Sequence, residues 1–143
     1  MAQTGTLEGG KQLARKLRRL GAAAESKIVG QAATFAMTPV VTAARQNAPR
    51  GTKAHKTYKG RLVAPGFLSR SIKKKMRRWK NKQGATVLVG PTREAFYGTN
   101  FVELGTRFIE ADEWLMPAFE SRKDQVVDRF MSRMRSKIKA ASR

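Results

Sequence analysis

IKKKMRRWKNKQGATVLVG, residues 72–90, is the stretch whose reading decides the fold. Asn81-Lys82-Gln83-Gly84 is a turn signal, and Ala85–Gly90, ATVLVG, is a β-rich run of strand length. Before the turn, Ile72, Met76 and Trp79 stand among cations. Ile72–Lys80 and Ala85–Gly90 are therefore predicted to pair as a β-hairpin. The first strand is too charged to lie at the centre of a buried sheet.

Helical patterns flank this hairpin. Leu7, Leu13, Leu17 and Leu20 predict a helix near residues 7–20, loosened at Gly21. Ile28, Ala32, Phe35, Ala36, Val40, Ala43 and Ala44 predict a second helical run from Ala22 to Asn47. Pro39 inside it predicts a kink or break, and Ala48-Pro49 closes it. On the other side, Pro117 suits a first helical turn. Phe119, Val126, Val127, Phe130, Met134 and Ile138 then form an apolar stripe. Glu120, Asp124 and Asp128 lie toward the start of this helix and Arg133, Arg135, Lys137, Lys139 and Arg143 toward its end, as the helix dipole favours. Phe67–Ile72 reads as a helical turn, and PTREAFYGTNFVELGTRF as a short helical turn followed by a short strand. The expected fold is α+β: a small antiparallel sheet packed against N-terminal helices and a long C-terminal helix. Residues 1–143 are expected to form one domain.

Residues 50–65 do not fit either pattern. With Gly51, Gly60 and Pro65, and with Arg50, Lys53, Lys56, Lys59 and Arg61 around the aromatic Tyr58, they read as an extended basic arm. Loops of this length are characteristically functional or disordered.

The arm belongs to a wider charge pattern. The formal net charge is +20, from 30 Lys+Arg and 10 Asp+Glu. No acid occurs between Ser26 and Arg93, a stretch that holds 16 of the basic residues, whereas residues 94–143 carry nine basic against eight acidic. A solubilising surface ordinarily mixes both signs. This segregation points to a polyanion or an acidic partner. Lys53, Lys56, Lys59, Arg61, Lys73, Lys74, Lys75, Arg77 and Arg78 are the candidate DNA- or partner-facing residues.

Chemistry is hard to place in this chain. It has no cysteine, which excludes disulfides, thiol nucleophiles and thiolate metal sites. His55 is the only histidine, and no carboxylate lies near it in sequence to build a triad. Glu110, Asp112 and Glu113 form the only acidic cluster. Metal nuclease sites draw carboxylates from several elements, so favourable charge ahead of a helix start is the simpler account. Glu103 sits in the apolar run Phe101–Thr106, where a carboxylate needs a backbone N–H or an Arg. Gly9-Gly10-Lys11 lacks the strand and spacing of a phosphate loop. No zinc finger, RNA-recognition signature or helix-turn-helix appears, so any DNA contact would be to phosphates and salt-sensitive. No catalytic residue, cofactor or metal is expected. No apolar run approaches the ~20 residues of a membrane span, and MAQTGTLEGGKQLARKLRRL has no apolar core of a secretory signal.

Several segments, taken in order, resemble the tailed-bacteriophage neck or tail-completion family. This is the head–tail joining or minor tail protein family, similar in role to the lambda Z-type protein. They are the helix with Leu13, Leu17 and Leu20, then Ala43-Ala44-Arg45-Gln46-Asn47-Ala48-Pro49, then Gly66-Phe67-Leu68-Ser69-Arg70-Ser71-Ile72. Val87-Leu88-Val89-Gly90, Tyr97, Phe101-Val102-Glu103-Leu104-Gly105-Thr106 and Leu115-Met116-Pro117-Ala118-Phe119 follow. The family-motif structural positions are Pro49, Leu68, Ser71, Ile72, Tyr97, Glu103, Gly105, Thr106, Pro117 and Ala118. Two departures stand out: Arg50–Pro65 is an insertion, and Glu113-Trp114 replaces a proline common before the final Pro-Ala.

The resemblance implies a non-enzymatic virion protein of the neck that joins the tail to the DNA-filled head. It would be assembled in the host cytoplasm as a ring of like copies, six being the expected number. Head-closure, tail-terminator and tail-tube proteins would be its neighbours, with genomic DNA in the channel and no membrane contact. The alternative from charge alone is a small basic protein that binds nucleic acid without sequence preference.

Overall fold

Small apolar side chains at helical spacing set the N-terminal half. In the computed structural model, which describes residues 9–81, 84–96, 99–108 and 110–141, α1 spans Gly10–Arg18, α2 Ala22–Ala36 and α3 Thr38–Asn47. The break in the long helical run comes at Met37, two residues ahead of Pro39. Pro39 falls in the first turn of α3, where its missing N–H is not needed. Ala48 is extended, at φ −58° and ψ 134°, as the residue before a proline prefers.

The arm contains a miniature hairpin. β1 (His55–Lys56) and β2 (Leu62–Val63) pair antiparallel, His55 opposite Val63. Arg50 and Gly66 meet at its base, where the Gly66 amide donates to the Arg50 carbonyl at 2.6 Å. Gly66 then takes φ 80°, a left-handed conformation open to glycine, and starts the short α4 (Phe67–Ser71).

β3 (Ile72–Arg78) and β4 (Ala85–Pro91) form the main hairpin, with Lys75 opposite Leu88 and Arg78 opposite Ala85. The two hairpins are separate two-stranded sheets. Period-2 alternation divides β3. Ile72 is fully buried, Lys74 and Met76 are half-buried, and Lys73, Lys75 and Arg77 are exposed. Gly30 lets α2 approach this sheet closely, since a methyl group there would collide with Met76 Sδ.

The segment after β4 corrects the sequence reading. A helical turn followed by a strand was expected, but both pieces are helical: α5 (Arg93–Phe96) and α6 (Thr99–Leu104). Gly105, at φ 70°, ends α6. The apolar run ending at Leu104 resembles a strand in composition, but its Glu103 serves a partner reached from a helix, described below. Tyr97 lies outside the described residues.

α7 (Leu115–Ala141) is 27 residues, about 40 Å long. It packs along both α2 and α3 and contributes to two apolar clusters. One holds Val41, Ala43, Ala44 and Ala48 of the α3 end with Ile72, Trp114 and Ala118. The other holds Leu17, Ile28 and Ala32 with Met134 and Ile138. Alanines at the first contact let the helix axes approach without a ridge between them. The α+β architecture, with a long C-terminal helix and small antiparallel sheets, is as expected.

Candidate functional site

The candidate basic residues fall on the arm and on β3 and are not equally free. On β3, Lys73, Lys75 and Arg77 share the outward face, spaced about 6.7 Å apart by strand geometry. Trp79 ends this row. It is half-exposed, donates from Nε1 to Thr86 Oγ1 at 2.9 Å, and lies over Gly84. Lys74 turns the other way. Its Nζ donates to the Thr34 carbonyl and to Thr38 Oγ1, both at 2.7 Å, and so ties the sheet to the α2–α3 junction. Partial burial, and then the nearby Arg129 guanidinium, hold its pKa below the ordinary lysine value. Arg78 is exposed at the strand end.

On the arm, Lys53 and Lys56 are exposed. Lys59 Nζ lies 5.8 Å from the centre of the Tyr58 ring. Arg61 is the anchor. It pairs with Glu94 of α5 at 2.9 Å and covers the Phe67 ring at 5.3 Å. Thr57 Oγ1 also donates to Glu94, at 2.7 Å. The Thr57 hydrogen bond, then Arg61 and Lys59, lower the Glu94 pKa from the ordinary carboxylate value against the opposing effect of desolvation. This carboxylate therefore clamps the arm to α5.

A second surface is apolar. Met37, Val40, Val87, Val89, Leu104, Met116 and Phe119 line a groove of about 490 Å³, with Glu103 and Glu113 also in its lining. A shallower hollow of about 300 Å³ extends from it past Val126, Val127 and Phe130. Leu104 is 77% exposed and Met116 57%. The predicted α7 stripe thus divides: Phe119 lines the groove, Val126, Val127 and Phe130 line the adjoining hollow, and Met134 and Ile138 are buried.

Glu103 also lines that groove. Its carboxylate accepts the backbone N–H groups of Trp114 at 2.8 Å, Leu115 at 3.1 Å and Met116 at 3.0 Å. These are orphan donors at the α7 N-terminus, and the negative charge meets the positive end of the helix dipole. The Asp112 amide adds a bond to the Val102 carbonyl at 2.8 Å. A short helix and a long one are thereby locked together by one acid.

Other motif positions pack or hydrogen-bond within the fold. Ile72 and Ala118 are fully buried, and Leu68 packs on the same cluster. Ser71 Oγ donates to the Phe67 carbonyl at 2.7 Å. Pro49 follows α3, and Pro117 sits in the first turn of α7. Thr106 Oγ1 accepts the Phe108 amide at 3.1 Å. Sequence reasoning passed over Arg45, whose Nη2 donates to the Ile72 carbonyl at 2.8 Å while its own carbonyl accepts Ser69 Oγ at 2.7 Å. Only its place in the motif-bearing segment hinted at this.

His55 and the acids Glu110, Asp112 and Glu113 are exposed. Among the described residues no group of three His, Cys, Asp or Glu side chains is placed to hold a metal ion. Among the same residues no helix is long and apolar enough to cross a membrane.

Comparison with known proteins gives one match. Residues 11–105 match the family model described as "Bacteriophage HK97-gp10, putative tail-component". The match runs from α1 to the glycine that ends α6. No curated protein and no solved structure matches the chain.

Proposed function

The chain belongs to the HK97-gp10-like family of bacteriophage tail components, and from that premise we propose that it is a tail-completion subunit. In this reading copies form a ring at the neck, around the channel through which DNA passes, and join the tail to the filled head. Its role is assembly, not catalysis. The observation that carries the reading within that family is the uncovered apolar groove. Groups such as Leu104, Met116 and Phe119 are exposed in one groove, and an exposed apolar patch of this kind marks an interaction site.

The occupant we assign to the groove is the arm of a neighbouring copy. The groove lining includes Glu113, with Asp112 and Glu110 close in sequence, all exposed. The arm offers the complement: Lys53, Lys56 and Lys59 beside Leu62, which is 67% exposed. A contact between two different patches of one chain is heterologous, and it closes a ring when the rotation between copies allows. DNA is a poor occupant of an apolar groove with acids in its lining. Its phosphates suit the outward row Lys73, Lys75 and Arg77, and we assign that row to the channel side.

A phage carrying an amber codon in this gene tests the role. The expected lysate contains DNA-filled heads and separate, uncompleted tails, which join when purified protein is added. Joined particles in the unsupplemented lysate would defeat the reading. The absence of native cysteine permits a clean contact test. Chains carrying Leu62→Cys should form mixed disulfides with chains carrying Leu104→Cys. An intrachain bond in the double variant, with no mixed dimer, would return the groove to its own arm.

A further inference from the structure

Residues 94–143 are nearly balanced in charge along the sequence, but α7 does not mix its two signs in space. At 3.6 residues per turn, Glu120, Asp124 and Asp128 recur every four positions and share one face. Arg122, Arg129 and Arg133, seven and four apart, share another, roughly a third to half a turn away. The packing of α7 draws two of them, Arg129 and Arg133, against α2. The Arg129 and Arg133 guanidinium carbons lie 4.3 and 4.8 Å from the centre of the same Phe35 ring. Among the described residues the ion pairs are Arg61–Glu94 and Lys123–Glu120. None of these three arginines takes part in one.

Beside this stack is a hollow of about 270 Å³ lined by Thr38, Pro39, Thr42, Arg122, Gln125 and Arg129. No carboxylate lines it. The hydroxyl protons of Thr38 and Thr42 are committed to the carbonyls of Phe35 and Thr38, at 2.9 and 3.2 Å. The donors left to the hollow are therefore the two guanidinium groups and the Gln125 amide. Arg129 Nε is sealed from solvent with no acceptor. An anion in the hollow therefore meets the other guanidinium N–H groups of Arg129, not Nε. Lys74, hydrogen-bonded to Thr38, adds a third positive charge nearby.

We propose that this hollow between α3 and α7 is a phosphate-binding site, in which Arg122, Arg129 and Gln125 take the oxygens of a phosphate or phosphodiester group. The planar fork of arginine matches two such oxygens at once. The three nearby cations favour a group of high charge density over a single carboxylate. Bound anion would also offset the repulsion between Arg129 and Lys74 that contributes to the lowered lysine pKa. Affinity for phosphate stands on these residues alone. Its use on channel DNA rests on the tail-completion reading.

Two measurements on the full chain test this. The first is titration with inorganic phosphate at constant ionic strength, following the arginine Nε–H and glutamine side-chain NMR signals. Saturable shifts are expected at Arg129 and Gln125, and they should vanish in Arg122→Gln. The second is duplex DNA binding across a salt series. The Arg122→Gln variant should flatten the dependence of log K on log salt by about one, more than Arg107→Gln, which removes the same charge outside the hollow. Phosphate saturation with an unchanged DNA slope keeps the site and assigns it to free phosphate. Unsaturable shifts, shifts that persist in Arg122→Gln, or a response to an acidic peptide but not to phosphate would overturn the proposal. None of these outcomes depends on whether a ring forms.

Discussion

Glu103 replaces what a serine or aspartate cap does at most helix starts. The α7 N-terminus has no acidic residue in its first turn, and three of its N–H groups turn to a carboxylate eleven to thirteen residues upstream. Charge-assisted bonds of this kind exceed neutral ones about twofold. Glu103→Ala should therefore cost about 2–3 kcal/mol, above an ordinary cap. Glu103→Gln keeps the shape but puts an amide N–H₂ where one acceptor stood, and should cost roughly half as much. Urea unfolding of both variants measures this, and equal stability of all three proteins would remove the capping role. Gly84 is a second single-residue test. A Cβ there would meet the Trp79 ring at 2.9 Å. Gly84→Ala should displace the indole from Thr86, destabilise by about 1–2 kcal/mol, and change Trp79 fluorescence.

At the scale of elements, the arm is a unit that Glu94 clamps to α5, beside the Arg70 bonds to the Ala64 and Pro65 carbonyls. Glu94 has a folded pKa below its unfolded one. Its contribution is complete above the unfolded carboxylate pKa and is lost as pH falls through the lowered folded value. Amide hydrogen exchange in residues 55–63 should therefore quicken under acid, relative to α7. Glu94→Gln should show the same fast exchange at neutral pH, and an arm equally protected in both would break the link. Because Arg50 and Gly66 already touch, excising the residues between them leaves ends that a short Gly-Ser bridge can span. The shortened chain should stay folded, losing about 1–2 kcal/mol for Val63, which is 7% exposed. It should fail to join heads to tails. Global unfolding on excision would place the arm in the core. The elements themselves were legible where local chemistry agrees with packing. Asn81–Gly84 and Ala85–Gly90 announce β4, and Ala48-Pro49 announces the end of α3. The run ending at Leu104 was not, because tertiary capping by Glu103 outweighs its strand-like composition. The Arg122–Arg133 face was equally hidden, since charge counted along the chain looks balanced until α7 sorts it by angle.

At the scale of the whole molecule, the +20 charge and the apolar groove make opposite demands on the solvent. Copies of so basic a chain repel one another at low ionic strength, and salt screens that repulsion over about 10 Å at 0.1 M. Docking of Leu62 of the arm into the apolar groove keeps its driving force as salt rises, whereas the pairing of arm lysines with Glu113 is screened. Phosphate binding does the reverse, because each neutralised phosphate releases a counterion. Self-association and DNA binding should therefore move apart along one salt series. From roughly 50 to 500 mM salt, mass photometry should show monomers giving way to larger closed species, while affinity for duplex DNA falls by orders of magnitude. A chain that merely coats nucleic acid would lose DNA over the same range and stay monomeric. Leu104→Asp separates the two surfaces: it should abolish the high-salt assemblies and leave the DNA salt slope unchanged. If that variant still assembles, the interface between copies lies elsewhere than the groove.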